Sequence, residues 1–362
     1  MRAKKLLTAA LAAMMSLGIM SVDINDTQAA TRAELGAISV SKKGNFKYWE
    51  KDSEAKAALV NYVKDVTNPR SKNFIPVEDR IAVFDLDGTL ICETAPYYFE
   101  WMFYIHHDLN EPNHRATPAA RKTAQEILDA IYAHKMTLEL DEKERYGQAA
   151  SFEGMTPEEY AAYVKNYMNT TYVEGLSNLK TGEGFYMPMV EVVSYLNANK
   201  FTCYIVSGSE RDLLRVLVDG VMDIEPNHII GTDHTYTTAN IDGNRPDRFF
   251  LKPDDQLLRG GGLLELRLQT NKVYAIKREI GKQPVLAFGN SMGDSSMFTY
   301  TITNNKYKSA AFMILADDTV RELGNPSKAE KIKATADQYG WTTISMRDDW
   351  KTIYGDGVER VE

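Results

Sequence analysis

The chain has 362 residues, 44% of them hydrophobic and 25% charged, which is enough apolar mass for a large core and for a main domain carrying an insertion. Its net charge of −8 is spread over interspersed acidic and basic residues, which argues against nucleic acid or an anionic membrane as a standing partner. Disorder, fibre and internal repeats are excluded as well, and a small soluble ligand is the expectation.

Residues 1–30 read as a secretory signal peptide. Arg2, Lys4 and Lys5 precede an apolar stretch from Leu6 to Met20, and small residues follow, with cleavage expected after Ala29. The stretch, at ~15 residues, is short of the ~20 that a spanning helix needs, so stable membrane insertion is not expected. The mature protein is expected in the periplasm or outside the cell. Cys92 and Cys203 are the only cysteines. Cys203 should lie ~13 Å below the end of its strand, at ~3.3 Å per residue. Cys92 follows the end of another strand, too far away for the ~4.4 to 6.8 Å between alpha carbons of a disulfide. Both read as buried small hydrophobes.

Residues 31–79 form an N-terminal helical extension, clearest over Glu54 to Val66, where Ala58, Leu59, Tyr62, Val63 and Val66 recur at helical spacing. Ile81 to Phe84 is a continuous apolar strand of the kind a sheet covered on both faces requires. Residues 91–184 turn helical, with Thr117-Pro118 and Thr156-Pro157-Glu158-Glu159 as helix starts. Residues 80–90 and 185–362 form the core. There, helix Pro188–Asn199, strand Phe201–Val206, helix Glu210–Val218, strand His228–Ile230, helix Lys272–Ile280, strand Pro284–Phe288 and helix Met292–Tyr300 alternate. Strands at Ala310–Leu315 and Thr342–Ser345 follow. The fold class is α/β, a doubly wound parallel sheet with an inserted α-helical cap. Between Thr232 and Leu268 the rhythm breaks. Tyr236–Thr238, Arg248–Leu251 and Leu264–Leu268 suggest short antiparallel strands, and Asp242-Gly243-Asn244 a turn. Gly260-Gly261-Gly262 after Arg259 reads as a flexible turn, with an anion-binding loop as the alternative.

Asp85 ends the buried strand, and Asp87, two residues on, projects to the same side. Gly88 permits a sharp turn close to a ligand, and Thr89 supplies a hydroxyl there. Phe84 to Thr89 resembles the first motif of the haloacid dehalogenase-like superfamily, an apolar strand followed by Asp-x-Asp-x-Thr. Ile205-Val206-Ser207-Gly208, Lys272 and Gly289-Asn290-Ser291-Met292-Gly293-Asp294 resemble its second, third and fourth motifs, in order. The resemblance implies Asp85 as nucleophile and Asp87 as general acid and base. It implies Mg2+ held by Asp85, the Asp87 carbonyl, Asn290 and Asp294, the last directly or through water. Ser207, the Gly208 amide, Lys272 and Thr89 would hold a phosphoryl group. Dehalogenases of the superfamily lack the second aspartate and its pumping ATPases carry threonine there, so Asp87 points to a phosphatase with a small phosphomonoester substrate. Asn290 stands where aspartate is commoner, which removes one charge from the metal site. Lys277, a rival for the third motif, lies ~7.5 Å further along its helix at 1.5 Å per residue and is expected to face solvent.

The cap resembles that of the phosphoserine phosphatase-like branch, although Glu93 lies eight residues after Asp85 where the branch has Glu at nine. The cap opens on an aromatic run, Pro96 to Tyr104. Most of it is expected to be cap core. Tyr97, Tyr98 and Trp101, with Glu93 or Glu100, are candidates for holding an organic cation such as phosphocholine or phosphoethanolamine. Looser resemblances are to exported phosphocholine phosphatases and to secreted class C acid phosphatases, which have Glu in place of Gly88. His106, His107 and His114 are not expected to make a second metal site, since neighbours on a helix point apart. The reading from another class is a non-catalytic phospholigand-binding protein, a drift that would first lose Asp85 or Asp87. The sequence leaves the oligomeric state open.

Overall fold

The structure, a computed structural model, describes residues 29–93 and 96–361. The expected signal peptide lies outside the described residues except for Ala29 and Ala30. These are buried, and the Ala30 amide donates to the Tyr354 carbonyl at 2.7 Å. Among the described residues, no helix is long and apolar enough to cross a membrane.

Seven strands form one mixed sheet: β1 (Ile81–Phe84), β2 (Thr202–Glu210), β3 (Ile229–Thr238), β4 (Leu257–Glu265), β5 (Leu286–Gly289), β6 (Ala310–Leu315) and β7 (Thr342–Ser345). The spatial order is β4-β3-β2-β1-β5-β6-β7, with every pairing parallel except β3 with β4. From β1 the chain therefore fills one side with β2 and β3 and the other with β5 to β7. Between β1 and β5 the order reverses, and the carboxyl ends of those strands open a crevice.

Burial on both faces explains the unbroken apolar runs, and the period of two sorts them. Ala82, Phe84, Cys203, Ile205, Leu286, Phe288, Phe312 and Ile314 join one core. Ile81, Val83, Val206, Ile230, Ala287, Ala311, Met313 and Leu315 join the other. Phe84 and Phe288 face each other across β1 and β5, stacked with centroids 4.5 Å apart. Cys92 and Cys203 are both buried, and no disulfide joins them.

Ahead of β1 stand helices α1 (Arg32–Gly36) and α2 (Glu54–Thr67). Ala55, and not Ala58, completes the buried stripe of α2, and Tyr62 donates to the carbonyls of Val285 and Lys308. Four helices lie between β1 and the helix preceding β2: α3 (Phe99–Asn110), α4 (Pro118–Tyr132), α5 (Leu138–Ser151) and α6 (Pro157–Thr170). Thr117 and Thr156 cap α4 and α6 as their sequences indicate, Thr156 with a reciprocal bond from Glu159. In the core follow α7 (Met187–Ala198), α8 (Arg211–Val218), α9 (Thr270–Ala275), α10 (Ser295–Ile302) and α11 (Pro326–Tyr339). Helix α9 continues as a π-helical turn, Ile276–Ile280.

The segment 232–268 departs from expectation. Tyr236–Thr238 extends β3, and the reversal uses Asp242 and Gly243, both at positive φ (44° and 71°). Arg248–Leu251 is not a strand: it follows a 3-10 turn at Pro246–Arg248 and leaves Phe250 and Leu251 exposed. Leu264 and Glu265 end β4, but Leu266 to Leu268 lie beyond it. Gly260, Gly261 and Gly262 are neither a turn nor an anion loop; they lie inside β4. Packing is the reason. A Cβ on Gly260 would meet Thr235 Oγ1 at 2.4 Å, and one on Gly261 would meet Glu153 Oε2 at 2.6 Å.

Candidate active site

Asp85 leaves β1 with its amide bonded to the Phe288 carbonyl at 2.9 Å, so pairing with β5 continues one residue beyond the strand. The chain then turns. Thr89 and Leu90 amides donate to the Leu86 carbonyl, and Gly88 sits at φ 74° with its amide on the Ile91 carbonyl. A Cβ on Gly88 would lie 1.9 Å from Asn290 Nδ2, so the glycine is what lets the β1 turn and the residue after β5 close on each other.

A cavity of about 270 Å³ opens at this switch point, lined by Asp85, Asp87, Gly208, Lys272, Asn290 and Asp294 from the core. Lys272, 4% exposed, donates to Asp85 Oδ1 and to Asp294 Oδ1, each at 2.7 Å. The other oxygen of Asp294 accepts the Asn290 and Ser291 amides at 3.2 and 3.3 Å. Asp294 is thus filled by protein donors, an arrangement suited to contact with an ion through water. Lys277 is exposed.

Burial would lower the pKa of Lys272, but Asp294 and Asp85 outweigh it and hold it above its ordinary value. Burial also pushes the Asp85 carboxyl up, with Asp294 and Asp87 adding to this and Lys272 opposing it. Asp87 is raised by burial to about 6, against a 2.8 Å bond from Ser209 Oγ to its Oδ2 that favours the ionised form. Near these atoms the acidic groups Asp85, Asp87, Glu93 and Asp294 outnumber the ammonium groups, Lys272 between Asp85 and Asp294 and Lys328 on the side of Glu93. That surplus of negative charge, with an oxygen-only donor set, fits a hard divalent cation such as Mg2+.

Two expected phosphate ligands are placed differently. Ser207 and Thr89 are fully buried and stand behind the cavity wall. Ser207 Oγ accepts the Ser209 amide at 3.1 Å, while the Thr89 hydroxyl has no partner. Of the β2 serines it is Ser209, two residues further along, that lines the wall, and the motif does not mark it.

The cap supplies the opposite wall. Glu93, Tyr97, Tyr98 and Trp101 all line it, with Tyr97 in ring contact with Tyr98 at 4.7 Å and with Trp101 at 4.9 Å. Helical spacing divides the aromatic run. Phe99 and Phe103 turn the other way, onto Tyr167, and Phe103 stacks on Phe152 in the cap core. Glu100 lines the cavity too. Its Oε1 accepts the Gln148 amide at 2.9 Å and the Glu210 backbone amide at 2.8 Å, and burial beside Glu210 raises its pKa.

Helix α5 adds Asp141, Glu144, Arg145 and Gln148, which sequence reasoning passed over. Their spacing puts them on one face, and a polar face where a cap helix should turn apolar residues inward was the available signal. Glu144 is 2% exposed, and its Oε1 has no hydrogen-bond partner.

The histidines follow the expectation only in part. His106 contacts Tyr163, but His114 is not on α3: the chain doubles back after Asn110 and stacks the His114 ring on His107 at 3.8 Å.

Among solved structures, the chain is similar to a protein of unknown function from Anaerococcus prevotii, at 15% identity over 84% of this chain and 94% of that one (TM-score 0.53). It is also similar to one of unknown function from Bordetella pertussis, at 16% identity over 73% and 97% (TM-score 0.47). A third is a phosphoserine phosphohydrolase-like protein from Francisella tularensis, at 16% identity over 70% and 92% (TM-score 0.36). Identities this low speak to the fold alone. No curated protein matches the chain. The family model for haloacid dehalogenase-like hydrolases matches residues 82–299, more than half of the sequence and the whole span from β1 through most of α10. The chain belongs to the haloacid dehalogenase-like hydrolases.

Proposed function

We propose that this hydrolase is an exported, Mg2+-dependent phosphomonoesterase acting on a small substrate through a phosphoaspartate at Asp85. The observation that carries the reading is the separate holding of two neighbouring carboxylates. Lys272 orients Asp85 at 2.7 Å, and Ser209 orients Asp87 at 2.8 Å, both at the mouth of one cavity. An Asp85 oxygen attacks phosphorus as the ester P–O bond breaks, and Asp87 gives its proton to the departing alcohol. Asp87 then takes a proton from water, which attacks the phosphoaspartate and releases inorganic phosphate and the Asp85 carboxylate. Asp85, the Asp87 carbonyl and Asn290 would hold Mg2+, with Asp294 behind them, and bound Mg2+ would offset the phosphoryl charge.

The test is hydrolysis of an aryl phosphate by chelator-treated protein with and without Mg2+. Turnover is expected only with Mg2+, and Asp85→Asn should reduce it by roughly 10³-fold or more. No Mg2+-dependent turnover, or full activity in Asp85→Asn, overturns the enzyme reading and leaves a phospholigand-binding protein of this fold.

The cap wall favours a substrate whose alcohol carries a cation. Tyr97, Tyr98 and Trp101 offer ring faces, and Glu93, Glu100, Asp141 and Glu144 offer carboxylates, against the one guanidinium of Arg145. Phosphocholine, phosphoethanolamine and phosphoserine fit that description to different degrees. Comparing kcat/KM for these with a neutral sugar phosphate decides it; a preference for the sugar phosphate overturns the cationic reading alone.

A further inference from the structure

At the far end of α3, away from the cavity, a second group of ligand-type side chains converges. His107 and Asp108 come from the last turn of the helix and His114 from the loop that follows. His114 Nε2 lies 3.2 Å from Asp108 Oδ1, and His107 Nδ1 lies 3.8 Å from the same oxygen. One nitrogen of each imidazole and the carboxylate oxygen all fall within 4.8 Å of one another. His107 and Asp108 are each 1% exposed, and the His114 side chain 25%.

The plain reading is a hydrogen-bonded knot. Ser151 on α5 donates to Asp108 Oδ1 at 2.5 Å and lies 2.7 Å from His107 Nδ1, which ties α3 to α5. That reading leaves two things over. The second oxygen of Asp108, Oδ2, is buried without any hydrogen-bond partner, which folded proteins rarely tolerate. Apart from Ser151, its side-chain partners among the described residues are histidines. Arg121, the nearby guanidinium, donates instead to the main-chain carbonyls of Asp108 and Leu109. A buried carboxylate needs a cation beside it.

We propose that His107, Asp108 and His114 form a second metal site, within the cap, for a borderline divalent ion such as Zn2+. Two ligand atoms ~2.0 to 2.1 Å from Zn2+ in a tetrahedron stand ~3.3 Å apart, against 3.2 and 3.8 Å from Asp108 Oδ1 to the imidazole nitrogens here, and the partly exposed His114 ring, stacked on His107, turns to aim at the shared ion. Two imidazoles with one carboxylate select Zn2+ over Mg2+, which takes oxygen ligands. His107 Nδ1 exchanges its Ser151 contact for the ion, Ser151 keeps Asp108 Oδ1 as acceptor, and the carboxylate turns its unpartnered Oδ2 to the ion. The fourth position faces the partly exposed side of His114, where a cleft lined by Asp108, His114 and Ser151 admits ion and water. The ion pins the loop after Asn110 to the end of the helix whose other end carries Glu100 and Trp101, so its role is to brace the cap. This inference does not depend on the phosphatase reading.

The experiment uses the full chain, stripped with chelator, in excess Mg2+ to fill the oxygen site, then exposed to ZnCl2. Bound Zn2+ is counted after desalting, and the melting temperature is followed as Zn2+ is added. The wild type should retain one Zn2+ per chain and melt roughly 5 °C higher at saturating Zn2+. His114→Ala, altering the least buried ligand, should lose both effects while keeping its Mg2+-only melting temperature; Asp85→Asn should keep both. Co2+ substituted for Zn2+ should give visible tetrahedral absorption in the wild type and not in His114→Ala. Equal Zn2+ retention by wild type and His114→Ala, or no retention by the wild type in Mg2+, overturns the site. If His114→Ala melts low without Zn2+, Asp108→Asn takes its place, with the same outcomes deciding.

Discussion

Asp85 and Asp294 share one ammonium: Lys272 Nζ stands 2.7 Å from an oxygen of each, in a site from which water is largely excluded. Removing the ammonium leaves two buried carboxylates facing each other. Lys272→Met should therefore lose stability on the order of 3–5 kcal/mol, the scale seen when one partner of a buried pair is deleted. Added Mg2+ should restore part of it, because the ion supplies the missing positive charge. Urea denaturation with and without Mg2+ reads both quantities. A variant as stable as wild type, with no larger response to Mg2+, contradicts this account of the pair.

Asp87 sets the pH response. Its pKa is raised by burial to about 6, and the proton it carries below that value is the one given to the leaving alcohol. As pH rises through about 6 the acid form is lost, so kcat/KM for an alkyl phosphate should fall about tenfold per unit above it. The Ser209 hydroxyl lowers this pKa by bonding the carboxylate, so Ser209→Ala should move the midpoint upward. Asp87→Asn should flatten the profile and lower alkyl ester turnover by roughly 10²–10⁴-fold. An aryl phosphate, whose leaving group needs little protonation, should suffer less. A midpoint unmoved in Ser209→Ala counts against Asp87 as the titrating group.

Gly88→Ala probes the closure of the two halves of the site. The new methyl would sit 1.9 Å from Asn290 Nδ2 at a backbone φ of 74°, so Asn290 must move away. The apparent Mg2+ affinity, read from the rate as a function of Mg2+, should weaken by roughly 10- to 100-fold. An unchanged Mg2+ dependence would mean that Asn290 is not a ligand.

Arg259 joins cap and core from within β4. Its Nη1 is 2.6 Å from Glu210 Oε1, its Nη2 is 3.1 Å from His234 Nδ1, and its guanidinium lies 3.7 Å over the ring of Tyr160 on α6. Arg259→Met should destabilise by roughly 3–5 kcal/mol because the buried Glu210 loses its guanidinium and keeps the Tyr160 hydroxyl and the His234 ring beside it. Adding Glu210→Gln should recover much of that loss, a coupling that a double-mutant cycle in thermal or urea unfolding measures. Strictly additive effects would show that the two side chains act independently.

The sheet was legible because buried strands carry their own signature: Ile81–Phe84 and Ala310–Leu315 appear where their apolar runs place them, and the half-buried edge strand Thr342–Ser345 also falls where expected. So was the meeting of Asp85, Asp87, Lys272, Asn290 and Asp294, since each follows a strand end or starts a helix on one side of the sheet. Harder to read was anything decided by the approach of segments distant in sequence. The triple glycine of β4 looks like a turn until α5 and β3 are seen pressing on it. Likewise, the return of His114 onto α3 depends on how the cap folds back, which no local period encodes. Ser209 was hidden for a smaller reason: the register of β2 shifts between Val206 and Glu210, and Ser209 lines the cavity while Ser207 does not.

Cap and core are also stitched together in the main chain. Arg259 donates from its amide to the Met155 carbonyl at 2.8 Å, and its carbonyl accepts the Gly154 amide at 2.9 Å. A swing of the cap about its two chain crossings alone would tear out both bonds and strip the glycines of β4 from α5. An opening stroke that keeps these bonds carries the sheet's antiparallel edge along with it. The cavity mouth is better pictured as the gap beside a riveted flange than as the jaw of a hinge.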